Sequence, residues 1–245
     1  MAGPDRTTDD DRIAQLTRER DDAVERLEQV TRTREALLAS ISHDLRNPLN
    51  TFAMSAGLLR DDVEHGEMDR SRAVALLQRM ERAVERMQRL IEDLVEASRV
   101  DSGKIELSTA NEKVERLVRD ALSSGKQLTS DRNATLVQGH VDAGASVKID
   151  ITRMAQALAK LFAYAIRIVG DGCTAVLSAK VADGTVTLAI EATPSQGSSF
   201  VPPEEGRGGL SLLLARGLVG LHGGSVVVEA SNKLLITVKL PTATA

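Results

Sequence analysis

The stretch ISHDLRNPLN, Ile41 to Asn50, puts His43, Asp44, Arg46, Asn47 and Pro48 within six consecutive positions of what otherwise reads as a helix. An imidazole is both a nucleophile and a proton carrier near neutral pH. The same stretch supplies a candidate base and, in a carboxamide one turn on, a polar group able to position water. At about 100° per residue, His43 lies about 200° from both Ile41 and Leu45, so it points away from the apolar stripe those residues define. Asn47 is rotated only about 40° from His43 and shares its exposed face. Pro48 removes a backbone donor and presses on the carbonyl of Asp44, so a distortion is expected beside the histidine. Arg46 has two readings, a partner for phosphate or a solvated helix residue.

The elements that must position this cluster are helical. Apolar residues alternate three and four apart at Ile13, Leu16, Ala23, Leu27, Val30, Leu37 and Ile41, with Arg20 and Arg34 filling the two gaps. That is a heptad seam, and it predicts a long helix from about 9 to 41 that pairs with a second copy. The pattern continues through Leu45, Leu49, Phe52, Ala56, Leu59 and Val63 and breaks at the polar EHGEMD. A second periodic run, Ala73, Leu76, Met80, Ala83, Met87, Leu90, Leu94 and Ala97, ends at DSGK, where Gly103 reads as a stop. Two such helices form an antiparallel hairpin whose apolar stripes two copies would bury as a four-helix bundle.

Beyond residue 104 the composition shifts. Strands are predicted at Ile105 to Leu107, Ala134 to Val137, Ser146 to Ile149, Ala175 to Val181, Thr185 to Glu191, Ser225 to Glu229 and Leu234 to Leu240, with helices over 112–124, 150–168 and 208–221. This order points to a separate α+β domain with helices on one side of a sheet. The expected organisation is therefore a coiled-coil helix over 1–34, a helical hairpin over 35–104 and an α+β sandwich over 105–245.

Composition narrows the function classes. The net charge is −4, with acids and bases interleaved and no basic stripe of the kind that neutralises a nucleic-acid backbone. No apolar run approaches the roughly 20 residues of a membrane span, and the N-terminus is acidic where a signal peptide would be basic and then apolar. A cytoplasmic location is expected. The single Cys173 reads as a small buried hydrophobe. His65 in the hairpin turn, His140 in a polar loop and His222 before a Gly-Gly stop read as structural.

The residues around His43 resemble the phosphoacceptor box of bacterial two-component sensor histidine kinases. IEDLVEASRVDSGKIEL resembles the end of that family's second dimerisation helix, and DITRMAQALAKLFAYAIRIVGDG and GGLSLLLARGLVGLHGGSV resemble the first helix and last glycine box of its ATP-binding domain. The likeness covers about residues 35 to 240. It implies that His43 is phosphorylated on a ring nitrogen, that Asp44 holds the other ring proton, and that Asn47 orients water for dephosphorylation of a partner.

The same family's nucleotide site asks for two asparagines on the domain's first helix, an Asp followed by glycines in the adenine box, and a glycine-flanked lid. This chain carries Lys160 and Tyr164 at the helix positions, neither of which offers magnesium a carbonyl oxygen. Ala192 stands where the Asp belongs, and Pro194 and Gln196 stand where the glycines do. An adenine amino group buried without its acceptor costs about 1–3 kcal/mol, or roughly ten- to a hundredfold in affinity. Glu191 is adjacent but belongs to the opposite strand face. A rescue in which Lys160 contacts phosphate directly stays open, as does an anion-binding use of Gly206, Gly208 and Gly209 beside their plain use as a tight entry to a helix.

The expectation is a homodimeric phosphotransferase or pseudokinase with catalytic residues His43, Asp44 and Asn47, a response-regulator receiver domain as partner, and no nucleic-acid partner. The N-terminal coiled coil is a place where a sensor protein would dock. No cofactor or metal is expected in this reading. ATP and magnesium enter only under the alternative, an active sensor kinase with an atypical nucleotide site. A third reading, a non-catalytic scaffold that binds a receiver, places no demand on His43.

Overall fold

In a computed structural model, residues 6–66, 69–129, 132–195 and 209–242 are described. The chain begins with one continuous helix, α1 (Arg6–Glu64), of 59 residues, with Pro48 buried inside it. The helix runs unbroken through residue 34, so the coiled-coil and hairpin units share it. α2 (Arg70–Asp101) returns antiparallel after a turn in which Gly66 takes φ +69°. Asp69 caps α2 by accepting from the Arg72 N–H, and Arg72 Nε lies 2.8 Å from the Asp62 carboxylate across the turn. At the other end Gly103 takes φ +65° and Lys104 N–H bonds the Arg99 carbonyl, a helix stop of the glycine type.

The inner face of the hairpin differs in phase from the sequence pattern. On α1 the buried line is Ile41, Pro48, Ser55 and Asp62, seven residues apart, flanked by half-buried Leu45, Phe52 and Leu59. Leu49 and Val63, expected inside, are 54% and 60% exposed. On α2, Leu76 and Ala83 are buried as expected, but Asp93 takes the inner position and Leu94 turns outward. At two of these places the inner residue is an acid with a cationic partner, Asp62 with Arg72 and Asp93 with Lys160, and at the third it is Pro48; in each case the apolar neighbour joins a second stripe on the outside. That outer stripe includes Val74, Leu77, Val84 and Ile91 on α2, all exposed.

The second unit contains β1 (Ala110–Lys113), α3 (Val114–Leu128), β2 (Thr135–Val141), β3 (Ser146–Ile149), α4 (Ile151–Val169), β4 (Thr174–Ala182), β5 (Thr185–Thr193), α5 (Gly209–Leu221), β6 (Ser225–Ala230) and β7 (Leu234–Pro241). Five strands form one sheet in the order β2-β4-β5-β7-β6, parallel only between β2 and β4. β1 and β3 make a separate antiparallel pair. The predicted strand at Ile105 to Leu107 is absent: that segment is irregular, and the strand falls instead on the polar ANEK of β1, held by its pairing with β3. Strand propensity yields there to tertiary context.

Strands β4, β5 and β7 alternate buried and half-buried residues. Leu177, Leu188, Ile190, Ile236 and Val238 join Leu117, Leu158, Leu161 and Leu218 of the three helices in one core. The result is a two-layer α+β sandwich in which α4 and α5 also face the hairpin. At that junction Gly217 of α5 leaves room for Val100 of α2, since a Cβ there would come within 2.5 Å of Val100 Cγ1.

Candidate functional site

The α1 turn containing His43 displays the ring as the helical arithmetic requires. The His43 side chain is 70% exposed, and its Nδ1 is 3.5 Å from Asp44 Oδ1. That separation is an electrostatic contact longer than a direct hydrogen bond. Asp44 is much less open, at 20%, because its other oxygen, Oδ2, lies 3.6 Å from Arg167 Nη1 at the end of α4. Asn47 and Arg46 are exposed on the same helix, and Thr51 Oγ1 donates to the Asn47 carbonyl at 3.1 Å. The structure thus brings His43 and Asp44 together, leaves Asn47 open to solvent one turn on, and adds Arg167, to which the sequence reading gave no role.

Arg167 is itself held. Its guanidinium carbon is 5.7 Å from the centre of the Tyr164 ring, a cation–π geometry. Its Nη2 occupies the space where a Cβ on Gly209 would sit, 2.5 Å away, and Gly209 has φ +64°. Burial pushes the Tyr164 phenol above its ordinary range, partly offset by Arg167 and Arg216, so the ring stays a neutral platform.

Lys160 does not face a phosphate pocket. Its Nζ donates to both oxygens of Asp93 on α2, at 2.6 and 2.8 Å, with the two side chains only 11% and 12% exposed. Burial pushes the Asp93 carboxyl up, and the Lys160 ammonium beside it pulls the other way. Nearer the start of α4, Arg153, two turns before Lys160, pairs with Glu96 of α2, and Gln156 Nε2, one turn before it, donates to Glu96 Oε2 at 2.6 Å. The hairpin therefore takes up the side of α4 that carries Arg153, Lys160 and Arg167. Sequence reasoning missed Asp93, although an acid in an otherwise apolar inner series was its signal.

Two of the adenine-box positions are also committed. Ala192 is fully buried in β5, and Glu191 is paired to Lys233 at 2.7 Å. These residues do not fit a magnesium nucleotide: the helix offers a neutralised ammonium and a buried phenol where carbonyl oxygens are needed, and the strand offers a methyl where a carboxylate is needed. The lid expected between Gly197 and Gly206, with Gln196 and Gly208, lies outside the described residues. Among the described residues no cluster of His, Cys, Asp and Glu is arranged to hold a metal ion.

The other histidines are structural in their contacts. His222 donates from Nδ1 to the Leu218 carbonyl at 2.7 Å and accepts the Asp150 N–H on Nε2 at 3.1 Å, tying α5 to the start of α4. His65 contacts the Asp61 carbonyl, and His140 contacts Asp142. Cys173 is fully buried, and that burial pushes its thiol up. No described helix is long and apolar enough to cross a membrane.

Comparison with known proteins agrees with this layout. Residues 33–103 match the family model of the His Kinase A (phospho-acceptor) domain. The chain is 28% identical over 228 residues to the sensor protein DivL of Caulobacter vibrioides, covering 88% of this chain and 29% of that protein. The chain thus spans under a third of that relative's length. Among solved structures, the histidine kinase AdeS of Acinetobacter baumannii superposes with a TM-score of 0.60 at 20% identity, over 82% of this chain and 98% of that one. The histidine kinase ThkA in complex with the response regulator protein TrrA gives 0.58 at 18% identity, over 94% and 66%. At these identities the superpositions establish a shared fold.

Proposed function

The chain belongs to the two-component sensor histidine kinase family, and from that premise we propose that it carries phosphoryl on His43 and exchanges it with the aspartate of response-regulator receiver domains, without efficient autophosphorylation from ATP. The observation that carries this reading is a contrast within one molecule. His43 stands open at 70% exposure, while α4 spends Lys160 on a buried pair with Asp93 and carries Tyr164, and β5 carries the buried Ala192, where magnesium and adenine need oxygen ligands. An acceptor without a nucleotide site needs a donor that is already activated, and an acyl phosphate supplies that activation in the bond to be broken.

In the transfer step the Nε2 lone pair attacks phosphorus in line, the bond from phosphorus to the receiver's carboxylate oxygen breaks, and the carboxylate leaves. The proton on Nδ1 stays on the ring beside Asp44 and balances the charge that develops there. Asn47, exposed on the face shared with His43, positions water when the phosphoryl is to be hydrolysed from the receiver. The reverse transfer uses the same groups.

The outer stripe of Val74, Leu77, Val84 and Ile91 supports a homodimer, since a single hairpin leaves it exposed. Pairing buries it in a four-helix bundle, with the heptads of the N-terminal part of α1 continuing as a coiled coil that a sensor protein can engage. The related complex of ThkA with a response regulator supports a receiver as the partner.

The test uses the whole protein and its His43→Gln variant. Each is incubated with γ-labelled ATP and magnesium, and separately with a phosphorylated receiver domain. Label passing from the receiver to wild type only, and lost in acid, is the expected result. Label from ATP that vanishes with His43 makes this an active kinase of unusual nucleotide site and overturns the reading. Receiver binding without any transfer makes it a scaffold.

A further inference from the structure

Arg153, Lys160 and Arg167 are spaced seven apart and fall on one stripe of α4. Each meets an acid of the hairpin: Glu96 and Asp93 on α2, then Asp44 on α1. The last rung ends on the neighbour of the phosphoacceptor. We propose that Arg167, delivered from the sheet domain by the docking of α4, is a positioning residue for His43 that acts through Asp44. This rests on His43 being the phosphoryl acceptor, and it adds a residue that the phosphoacceptor box does not contain.

The geometry supports a division of labour within one carboxylate. Asp44 Oδ1 faces His43 Nδ1 at 3.5 Å, and Oδ2 faces Arg167 Nη1 at 3.6 Å. An aspartate on a helix surface otherwise rotates among its staggered positions. A cation on one oxygen fixes the other where it faces the ring. Arg167 is able to do this because its own position is set by the Tyr164 ring beneath it and by the bare backbone of Gly209. With Asp44 so held, the ring keeps its proton on Nδ1, and Nε2 presents its lone pair to solvent. The guanidinium also places a fixed positive charge close to where a phosphoryl dianion arrives.

The experiment compares wild type, Arg167→Ala and Arg167→Lys as full-length protein. The two neutral tautomers of His43 are quantified by nitrogen NMR at about pH 9, where an imidazole is uncharged, with His43→Gln identifying the signal. Phosphorylation of His43 is then timed with phosphoramidate as donor, whose nitrogen–phosphorus bond breaks with release of ammonia. The Ala variant is expected to lose the Nδ1–H preference and to slow about ten- to a hundredfold, and the Lys variant, which keeps the charge, to recover most of both. An Ala variant with the wild-type tautomer ratio and rate overturns the inference while leaving the acceptor reading intact, as does a variant that runs faster. A wild type that takes no phosphoryl from phosphoramidate or a receiver overturns the acceptor reading. The tautomer ratio then still decides whether Arg167 orients the ring.

Discussion

Replacing Lys160 by Met tests the docking of the two units most directly. The thioether chain fills nearly the same space and removes only the ammonium, leaving the Asp93 carboxylate 12% exposed with its two short contacts gone. Breaking one side of such a pair costs about 3 kcal/mol. For a chain of this size that corresponds to a fall in Tm of about 6–12 °C. The double variant Lys160→Met with Asp93→Leu removes the stranded charge, and its stability should return to within about 1 kcal/mol of wild type or exceed it. Burial raises the folded pKa of Asp93 above its unfolded value. Its contribution therefore declines as pH rises from about 4 through the folded pKa. Without Lys160 that pKa climbs further, so the deficit of the single variant is smallest near pH 4 and largest at neutral pH. Urea unfolding at fixed protein concentration and two pH values measures this, and hydrogen exchange of α2 and α4 reports the junction itself. A single variant as stable as wild type, or a double variant no better than the single, would refute the assignment of Lys160 as a buried interdomain pair.

Asp150 caps α4 by accepting from Arg153 N–H and also accepts from Ser108 N–H, each at 3.1 Å. Burial opposes its ionisation, but these donors outweigh it and hold its pKa below the ordinary value. Asp150→Ala should cost about 1–2 kcal/mol at neutral pH, and the gap to wild type should close as pH falls below about 4 through the depressed pKa, measured by chemical denaturation across that range. Ser55 is 1% exposed in the hairpin, with no hydrogen-bond partner for its hydroxyl among the described residues. Ser55→Ala should therefore stabilise the protein by about 1 kcal/mol, read as an upward shift in Tm.

Much of the architecture was legible because it rests on periodicity. Helix ends at Gly66 and Gly103 and the strands β3 to β7 follow from turn residues and alternation, and the exposure of His43 follows from its angle to Ile41 and Leu45. The corrections share a physical origin. A hydropathy series prefers Leu49, Val63 and Leu94 as inner residues, whereas the packed hairpin seats Pro48, Asp62 and Asp93 one position earlier. Asp62 and Asp93 have cationic partners in Arg72 and Lys160. Apolar pattern alone cannot see a pair formed between residues 67 positions apart in the chain. The sequence leaves a phosphate contact open for Lys160, because its actual partner, Asp93, lies in another unit. Arg167 escaped notice because its use depends on how that unit docks. The heptad spacing from Arg153 to Arg167 was the available sign, since a charged stripe on a helix with a buried face asks for opposite charges across from it.

The continuity of α1 has a mechanical consequence. Arg6 to Glu64 is a single shaft about 88 Å long at 1.5 Å per residue, with His43 set in its wall. Because the helix is continuous from Arg6 to Glu64, a rotation of its far end about the axis would be carried along the same backbone to His43. Rotating the shaft swings His43 and Asp44 together past the stationary guanidinium of Arg167. A signal of that kind need carry no chemistry of its own; it only sets the angle at which the ring meets what is waiting for it.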